Sequence, residues 1–93
     1  MALRFSWDPA KAASNLRKHR ISFAEGATAF GDPLSITVPD PDHSAGEQRY
    51  VLIGFTERGR LVVVAHVERG DEIRIINARF PTRRERKTYE EDE

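Results

Sequence analysis

The chain has no cysteine, which removes disulfide frameworks and thiolate metal sites together. No run of apolar residues approaches membrane-spanning length, and no basic stretch followed by an apolar one stands at the start. A cytoplasmic protein with no membrane partner is therefore the expectation. Net charge is absent too: fifteen basic and fifteen acidic residues cancel. That argues against a general nucleic-acid coat, which needs a cationic surface. There is no phosphate-binding glycine loop, zinc-protease helix or nucleophile elbow. His19, His43 and His66 lack ligand-like spacing, so neither metal nor cofactor is expected. Asp40, Asp42 and Ser44 copy the first three ligand positions of a calcium loop. The match fails at Ala45, where glycine belongs, and at Val51, where the bidentate Glu belongs.

What is present suffices for one folded unit. Ninety-three residues, 39% hydrophobic and 32% charged, fit a single globular domain over 1–93 with one modest core. The charge is uneven, because Glu90, Glu91, Asp92 and Glu93 form an acidic tail from about residue 90. Without those acids the rest is net positive by four.

The central stretch runs from Arg49 to Phe80. It holds three apolar runs separated by Glu57-Arg58-Gly59 and Glu68-Arg69-Gly70, and reads as a β-meander. If both triplets are three-residue loops ending in a left-handed glycine, the register follows. Val51, Ile53, Phe55, Leu61, Val63, Ala65, Val67, Ile73 and Ile75 then share a core face. Tyr50, Leu52, Gly54, Val62, Val64, His66, Glu68, Glu72, Arg74, Ile76 and Ala78 share the other, which is expected to be open and functional. Arg79 falls on the core side by strict alternation, unless the strand ends or twists before it.

Around the meander, residues 3–7 alternate as a short strand. Asp8-Pro9 then supplies an N-cap and first-turn proline for a helix carrying Ala12, Ala13, Leu16 and His19 on one stripe. Arg17, Lys18, His19 and Arg20 cluster at its end, where cations suit the helix dipole. Ser22-Phe-Ala-Glu25 is a capping box opening a second helix with Phe23, Ala27 and Phe30 as its apolar stripe. Residues 34–38 alternate as a strand, and Thr82-Arg-Arg-Glu85 is another capping box opening a polar helix through about Tyr89. The fold class expected is α+β: an N-terminal strand and two helices packed on one face of an antiparallel sheet, with a C-terminal helix.

The chemistry on offer is arginine-rich. Arg74, Arg79, Arg83 and Arg84 follow one another, and Arg49 starts the meander beside Glu47. Guanidinium groups match phosphate bidentately and stabilise charge developing on it. A ribonuclease without metal needs that, plus groups to move protons between the 2′-OH, the leaving oxygen and solvent. His66, Glu68, Glu47, His19 and Tyr89 are the titratable candidates. The structural alternatives stand beside this. Glu72 and Arg74 fit an ordinary cross-strand pair worth under about 1 kcal/mol. His66 fits a hydrogen-bonded edge histidine, and Arg83, Arg84, Arg86 and Lys87 fit the solvated face of a helix.

Phe5-Ser-Trp-Asp8, Asn15-Leu-Arg-Lys18-His19, Ser22-Phe23, Glu47-Gln-Arg49, Arg74-Ile-Ile-Asn-Ala-Arg79 and Arg83-Arg-Glu-Arg86 through Tyr89 stand in order over about residues 4–90. In this the chain resembles the BrnT family. The resemblance implies a RelE-like toxin of a type II toxin–antitoxin pair, a ribonuclease that cuts RNA without a metal and arrests growth. It also implies a BrnA-like antitoxin with a ribbon-helix-helix part, through which the complex binds and represses its promoter DNA. By position it carries over Lys18 and His19, Glu47 and Arg49, Arg74 and Arg79, and Glu85 and Tyr89. Glu47, His19 and Arg74 are then expected to carry the chemistry, joined by His66 on the register alone. Lys18, Arg49, Arg79, Arg83 and Tyr89 are expected to bind substrate. Arg20 departs from the family's usual Gly, Asn77 from its usual Ser, and Phe80-Pro81 from a basic and small pair. The alternative is a non-catalytic interaction module, a degenerate toxin serving only as co-repressor.

Overall fold

Asp8 begins the first helix as its sequence requires: its carboxylate accepts the Lys11 N–H at 3.0 Å, and Pro9 occupies the first turn. In the computed structural model, which describes residues 3–40 and 46–91, the elements follow in the expected order. They are β1 (Arg4–Ser6), α1 (Pro9–His19), α2 (Phe23–Thr28), β2 (Ile36–Pro39), β3 (Arg49–Phe55), β4 (Leu61–Arg69), β5 (Glu72–Arg79) and α3 (Arg83–Glu91), with a 3₁₀ turn at Ala29–Gly31. Asp42, His43, Ser44 and Ala45 of the calcium-loop comparison, and Asp92 and Glu93 of the tail, lie outside the described residues. Among the described residues no helix is long and apolar enough to cross a membrane.

One five-stranded sheet has the order β1-β5-β4-β3-β2. It is antiparallel except at its edge, where β1 runs parallel to β5. The first hairpin has the expected three-residue loop: Phe55 pairs with Leu61, and Gly59 takes φ 77°. The second does not. Arg69 pairs with Glu72, so the loop is Gly70-Asp71, with Gly70 at φ 65° in its first position. That is the glycine placement of a two-residue hairpin turn with a single left-handed residue. The same tripeptide thus makes two different loops, and the register of β5 differs from the one expected.

A β-bulge changes it again. His66 pairs with Ile75 but Ala65 with Asn77, leaving Ile76 as the extra residue. Side chains alternate along a strand, and a bulge reverses their phase. Ile73 and Ile75 therefore share a face with Leu52, Val62, Val64, His66 and Ala78, while Arg74, Ile76, Asn77 and Arg79 all turn to the other.

The helices cover the first of these faces, the reverse of the expectation for β3 and β4. Ile21, Phe23 and Ala29 pack on Leu52, Val62, Val64, Ile73, Ile75 and Ala78, with Phe5, Trp7, Ala12, Ala27 and Phe30 around them. Both faces of the meander are apolar, so alternation alone did not distinguish them. Small residues mark the covered side. A side chain on Gly54 would stand 3.1 Å from the Ala29 carbonyl, and one on Gly26 would stand 3.3 Å from Ala78 Cβ. Leu16, expected on the packed stripe of α1, is exposed; that stripe buries Asn15 instead.

The opposite face is half covered. Tyr89 of α3 packs on Ile53, Leu61 and Val63, with Ile36 and Val51 beside them. Its hydroxyl donates to Asp32 at 2.7 Å, and its ring meets Phe55 edge-on at 5.5 Å. Tyr89 is therefore the anchor of α3 rather than a substrate contact. Burial pushes the Asp32 carboxyl up, but the Phe55 N–H, the Tyr89 hydroxyl and the Leu34 N–H together hold it below its ordinary value.

Candidate active site

The uncovered half of this second face is a cleft of about 400 Å³ lined by Lys18, His19, Asp40, Arg49, Val51, Val63, Ala65, Ile76, Asn77 and Arg79. The strand register builds it in rows. Arg49, Val67 and Arg74 lie across β3, β4 and β5; Val51, Ala65 and Asn77 form the next row; Ile53, Val63 and Arg79 form the third. An apolar floor thus has Arg49 near one end and Arg79 near the other. Arg74 is on the same face but belongs to the rim row and does not line the cleft.

Lys18 and His19 reach the cleft because α1 is pinned to β5. Asn15 Nδ2 donates to the Ala78 carbonyl at 2.8 Å and the Ile21 carbonyl at 3.0 Å. Its Oδ1 accepts from the Ala78 N–H and from Asn77 Nδ2, both at 3.1 Å. β1 pairs only with the first part of β5, and the Asn15 amide serves the edge groups of Ala78 beyond it. Three residues later the helix carries Lys18 and His19 over the bulge. Sequence reasoning did not single out Asn15. Its signal was an asparagine in a run of helix formers, where the side chain ordinarily competes with the helix.

Arg79 is held by Glu85 through a bidentate pair at 2.7 and 2.9 Å. Glu85 also completes the capping box, accepting the Thr82 N–H at 2.9 Å while its own N–H donates to Thr82 Oγ1 at 3.2 Å. These bonds, Arg79's first, outweigh burial and hold Glu85 down at about 2. Arg79 is correspondingly raised by its hydrogen bonds to Glu85, against the opposing effect of burial, with Asp40 adding to the raise. The bulge and the clamp together aim Arg79 along the open face.

Four of the expected site residues, Lys18, His19, Arg49 and Arg79, therefore meet in one cleft, with Asn77 and Asp40 added. The others are elsewhere. His66 is fully buried on the helix-covered face, between the rings of Phe30 at 4.8 Å and Tyr50 at 6.0 Å, and its Nδ1 lies 3.1 Å from the Val64 carbonyl. Its expected catalytic position followed from the inverted faces, and burial removes it from contact with a polymeric substrate. Glu47 is exposed and held by Arg69 at 2.8 and 2.9 Å, which, with Arg49 nearby, keeps its carboxyl below the ordinary range against slight burial. Arg83 is exposed on the first turn of α3 and does not line the cleft. Among the described residues no cluster of three His, Asp or Glu side chains is placed to hold a metal.

Residues 7–85 match the family described as "Ribonuclease toxin, BrnT, of type II toxin-antitoxin system". Among solved structures, the crystal structure of the Brucella abortus ribonuclease toxin BrnT superposes with a TM-score of 0.67 at 19% identity. The superposition covers 88% of this chain and 100% of that one. At that identity the likeness concerns the fold. No curated protein matches the chain.

Proposed function

The chain belongs to the BrnT family of ribonuclease toxins of type II toxin–antitoxin systems, and from that premise we propose that its cleft binds single-stranded RNA and cuts it without a metal. The observation that carries the reading is the meeting of Lys18, His19, Arg49 and Arg79 around one apolar floor. The guanidinium groups of Arg49 and Arg79 grip phosphate oxygens and stabilise charge as it grows on phosphorus. Arg74, on the rim row, extends the track to a neighbouring phosphate. The apolar floor of Val51, Val63, Ala65 and Ile76 takes a base or sugar.

The reaction is an internal transfer. The 2′-oxygen attacks the adjacent phosphorus, its proton goes to a base, and the bond to the 5′-oxygen breaks as that oxygen takes a proton. The products are a 2′,3′-cyclic phosphate and a 5′-hydroxyl. Histidine both gives and takes protons near neutral pH, and His19 is the imidazole that the cleft contains. Lys18 beside it neutralises the dianionic phosphorane. The donor set supports metal-free chemistry: among the described residues the cleft is lined by one carboxylate, Asp40, against an ammonium, an imidazole and two guanidinium groups. The partner in this reading is a ribbon-helix-helix antitoxin, and promoter DNA is reached only through it. The place of action is the cytoplasm.

The test is cleavage of a purified single-stranded RNA by the purified chain in excess EDTA, with the product ends identified. Cleavage with cyclic phosphate ends is expected, and His19→Ala should slow it by about 10²-fold or more. Loss of cleavage in EDTA would remove metal independence. A folded wild-type chain that neither cuts RNA nor halts growth when induced would leave the non-catalytic module standing instead.

A further inference from the structure

A second depression lies at the C-terminal end of α1. It measures about 720 Å³, is lined by Leu16, Arg17, Arg20, Arg58 and Arg60, and shares no lining residue with the cleft. Four arginines line it, and two of them, Arg58 and Arg60, approach one buried carboxylate, Glu25. Arg60 is committed to it: Nε donates to Glu25 Oε2 at 2.8 Å and Nη2 to Glu25 Oε1, while Nη2 also reaches the Arg20 carbonyl at 3.1 Å. Its planar group lies 5.5 Å from the centre of the Phe80 ring. Arg58 only approaches Glu25, at 3.7 Å, with 73% of its side chain exposed. Arg17 and Arg20 are exposed and, among the described residues, make no ion pair. The groove therefore keeps an uncompensated charge in a chain whose net charge is zero.

Two further observations indicate what the groove is for. Arg20 caps α1 in the left-handed conformation, φ 61° and ψ 29°, its N–H bonded to the Leu16 carbonyl at 2.9 Å. Only glycine adopts that conformation without strain, and strain retained on a surface points to a use for the side chain. The cations are also bordered by apolar surface: Leu16 is 49% and Phe80 46% exposed. An RNA path would also use cations beside apolar surface, but the cleft, with His19 among its lining residues, already supplies one. Arginine beside exposed aromatic and aliphatic groups is the composition of a protein interface, and guanidinium forks pair bidentately with carboxylates.

We infer that this groove is the docking surface for an acidic, amphipathic segment of the protein antitoxin. Its carboxylates pair with Arg17, Arg20 and Arg58, and its apolar side chains cover Leu16 and Phe80. The inference rests on the toxin reading for the identity of the partner, but not on the chemistry of the cleft.

The experiment uses the full chain and, as probe, the purified product of the open reading frame beside its gene. Affinity is measured by titration calorimetry, and cleavage of single-stranded RNA is assayed in parallel. Arg17→Glu with Arg58→Glu should weaken probe binding by at least about tenfold, and the wild-type affinity should fall with added salt. Arg20→Gly should weaken binding while raising the melting temperature, so misfolding cannot explain its loss. Arg60 is left intact because it neutralises Glu25. RNA cleavage by these variants should stay within about twofold of wild type, since none lines the cleft. Unchanged probe affinity in folded variants overturns the inference, as does wild-type chain that fails to bind the probe. Lost RNA affinity with retained probe binding also overturns it, making the groove an RNA track. If wild-type chain binds the probe through these arginines but cuts no RNA, the nuclease reading falls and the docking surface stands.

Discussion

Asn15 sits mid-helix, where an amide side chain ordinarily weakens the element, yet it is buried and makes four hydrogen bonds across to β5 and the turn after α1. Replacing it by leucine would keep an apolar helix former but leave the Ala78 N–H and C=O without that partner. A buried polar group left unpaired costs about 1–3 kcal/mol, so Asn15→Leu should lose about 2–4 kcal/mol in urea denaturation. A loss within about 0.5 kcal/mol would show that the edge of β5 does not depend on this amide. Arg20 is the opposite case. Its left-handed backbone makes Arg20→Gly a stabilising change, by about 1 kcal/mol, read from the same denaturation curves. The unusual position of Arg20 was legible only through the resemblance, in which Gly is usual there and a left-handed helix end suits Gly. The burial of His66 was not, because it depends on which side of the sheet the helices take.

At the scale of the element, β5 and α3 make one unit. The bulge at Ile76 turns Arg79 to the open face, and α3 begins with the acid that clamps it. The capping box that announced α3 was legible, since Thr82 and Glu85 stand at fixed spacing. The second job of Glu85, holding Arg79, was not, because it depends on a phase reversal that no local pattern encodes. Gly70 illustrates the same limit: one residue fewer in the loop moves Ile73 and Ile75 under the helices, and their burial there favours that register over the loop suggested by the repeated tripeptide. The clamp has a pH signature. Glu85 falls from its ordinary 4.5 to about 2 in the fold. A carboxyl depressed by folding adds stability that is fully present above its unfolded value and is lost as pH drops through the folded one. Glu25 is depressed in the same direction, first by its hydrogen bonds from Arg60, with burial opposing and Thr56 assisting. Stability should therefore fall between about pH 4.5 and pH 2. Glu85→Gln should flatten that slope and lower stability at neutral pH by about 1–2 kcal/mol, after allowance for solvent screening. An unchanged acid profile in Glu85→Gln would show that the clamp does not stabilise the fold.

At the scale of the whole molecule, the sheet divides its labour by face. One side is buried under α1 and α2, and the other is shared between the anchor of α3 and the cleft. The order of elements and the first hairpin were legible from spacing and capping signals, whereas the gathering of Arg74 and Arg79 on one side was not, because the bulge produces it. The covered side was not, because Leu52, Val62 and Val64 are as apolar as Ile53, Leu61 and Val63; only small residues such as Gly54 and Ala78 distinguished the two. This division predicts how RNA binding responds to salt. A neutral chain has no long-range pull on a polyanion, so attraction must come from the few cations that touch phosphate. For single strands, log affinity falls against log salt by about 0.7 for each phosphate neutralised. Three cleft cations, Lys18, Arg49 and Arg79, with Arg74 on the rim, therefore give an expected slope of about −3. Arg79 is already shared with Glu85, so the slope should not exceed that value. Arg49→Ala should make it shallower by about 0.7, measured by fluorescence anisotropy with a labelled, cleavage-resistant single-stranded oligonucleotide at several salt concentrations. Arg17→Glu with Arg58→Glu should leave the slope unchanged, since those residues lie outside the cleft. A slope indifferent to Arg49 but flattened by the Arg17 and Arg58 changes would move the RNA path from the cleft to the arginine groove, and with it the assignment of both faces.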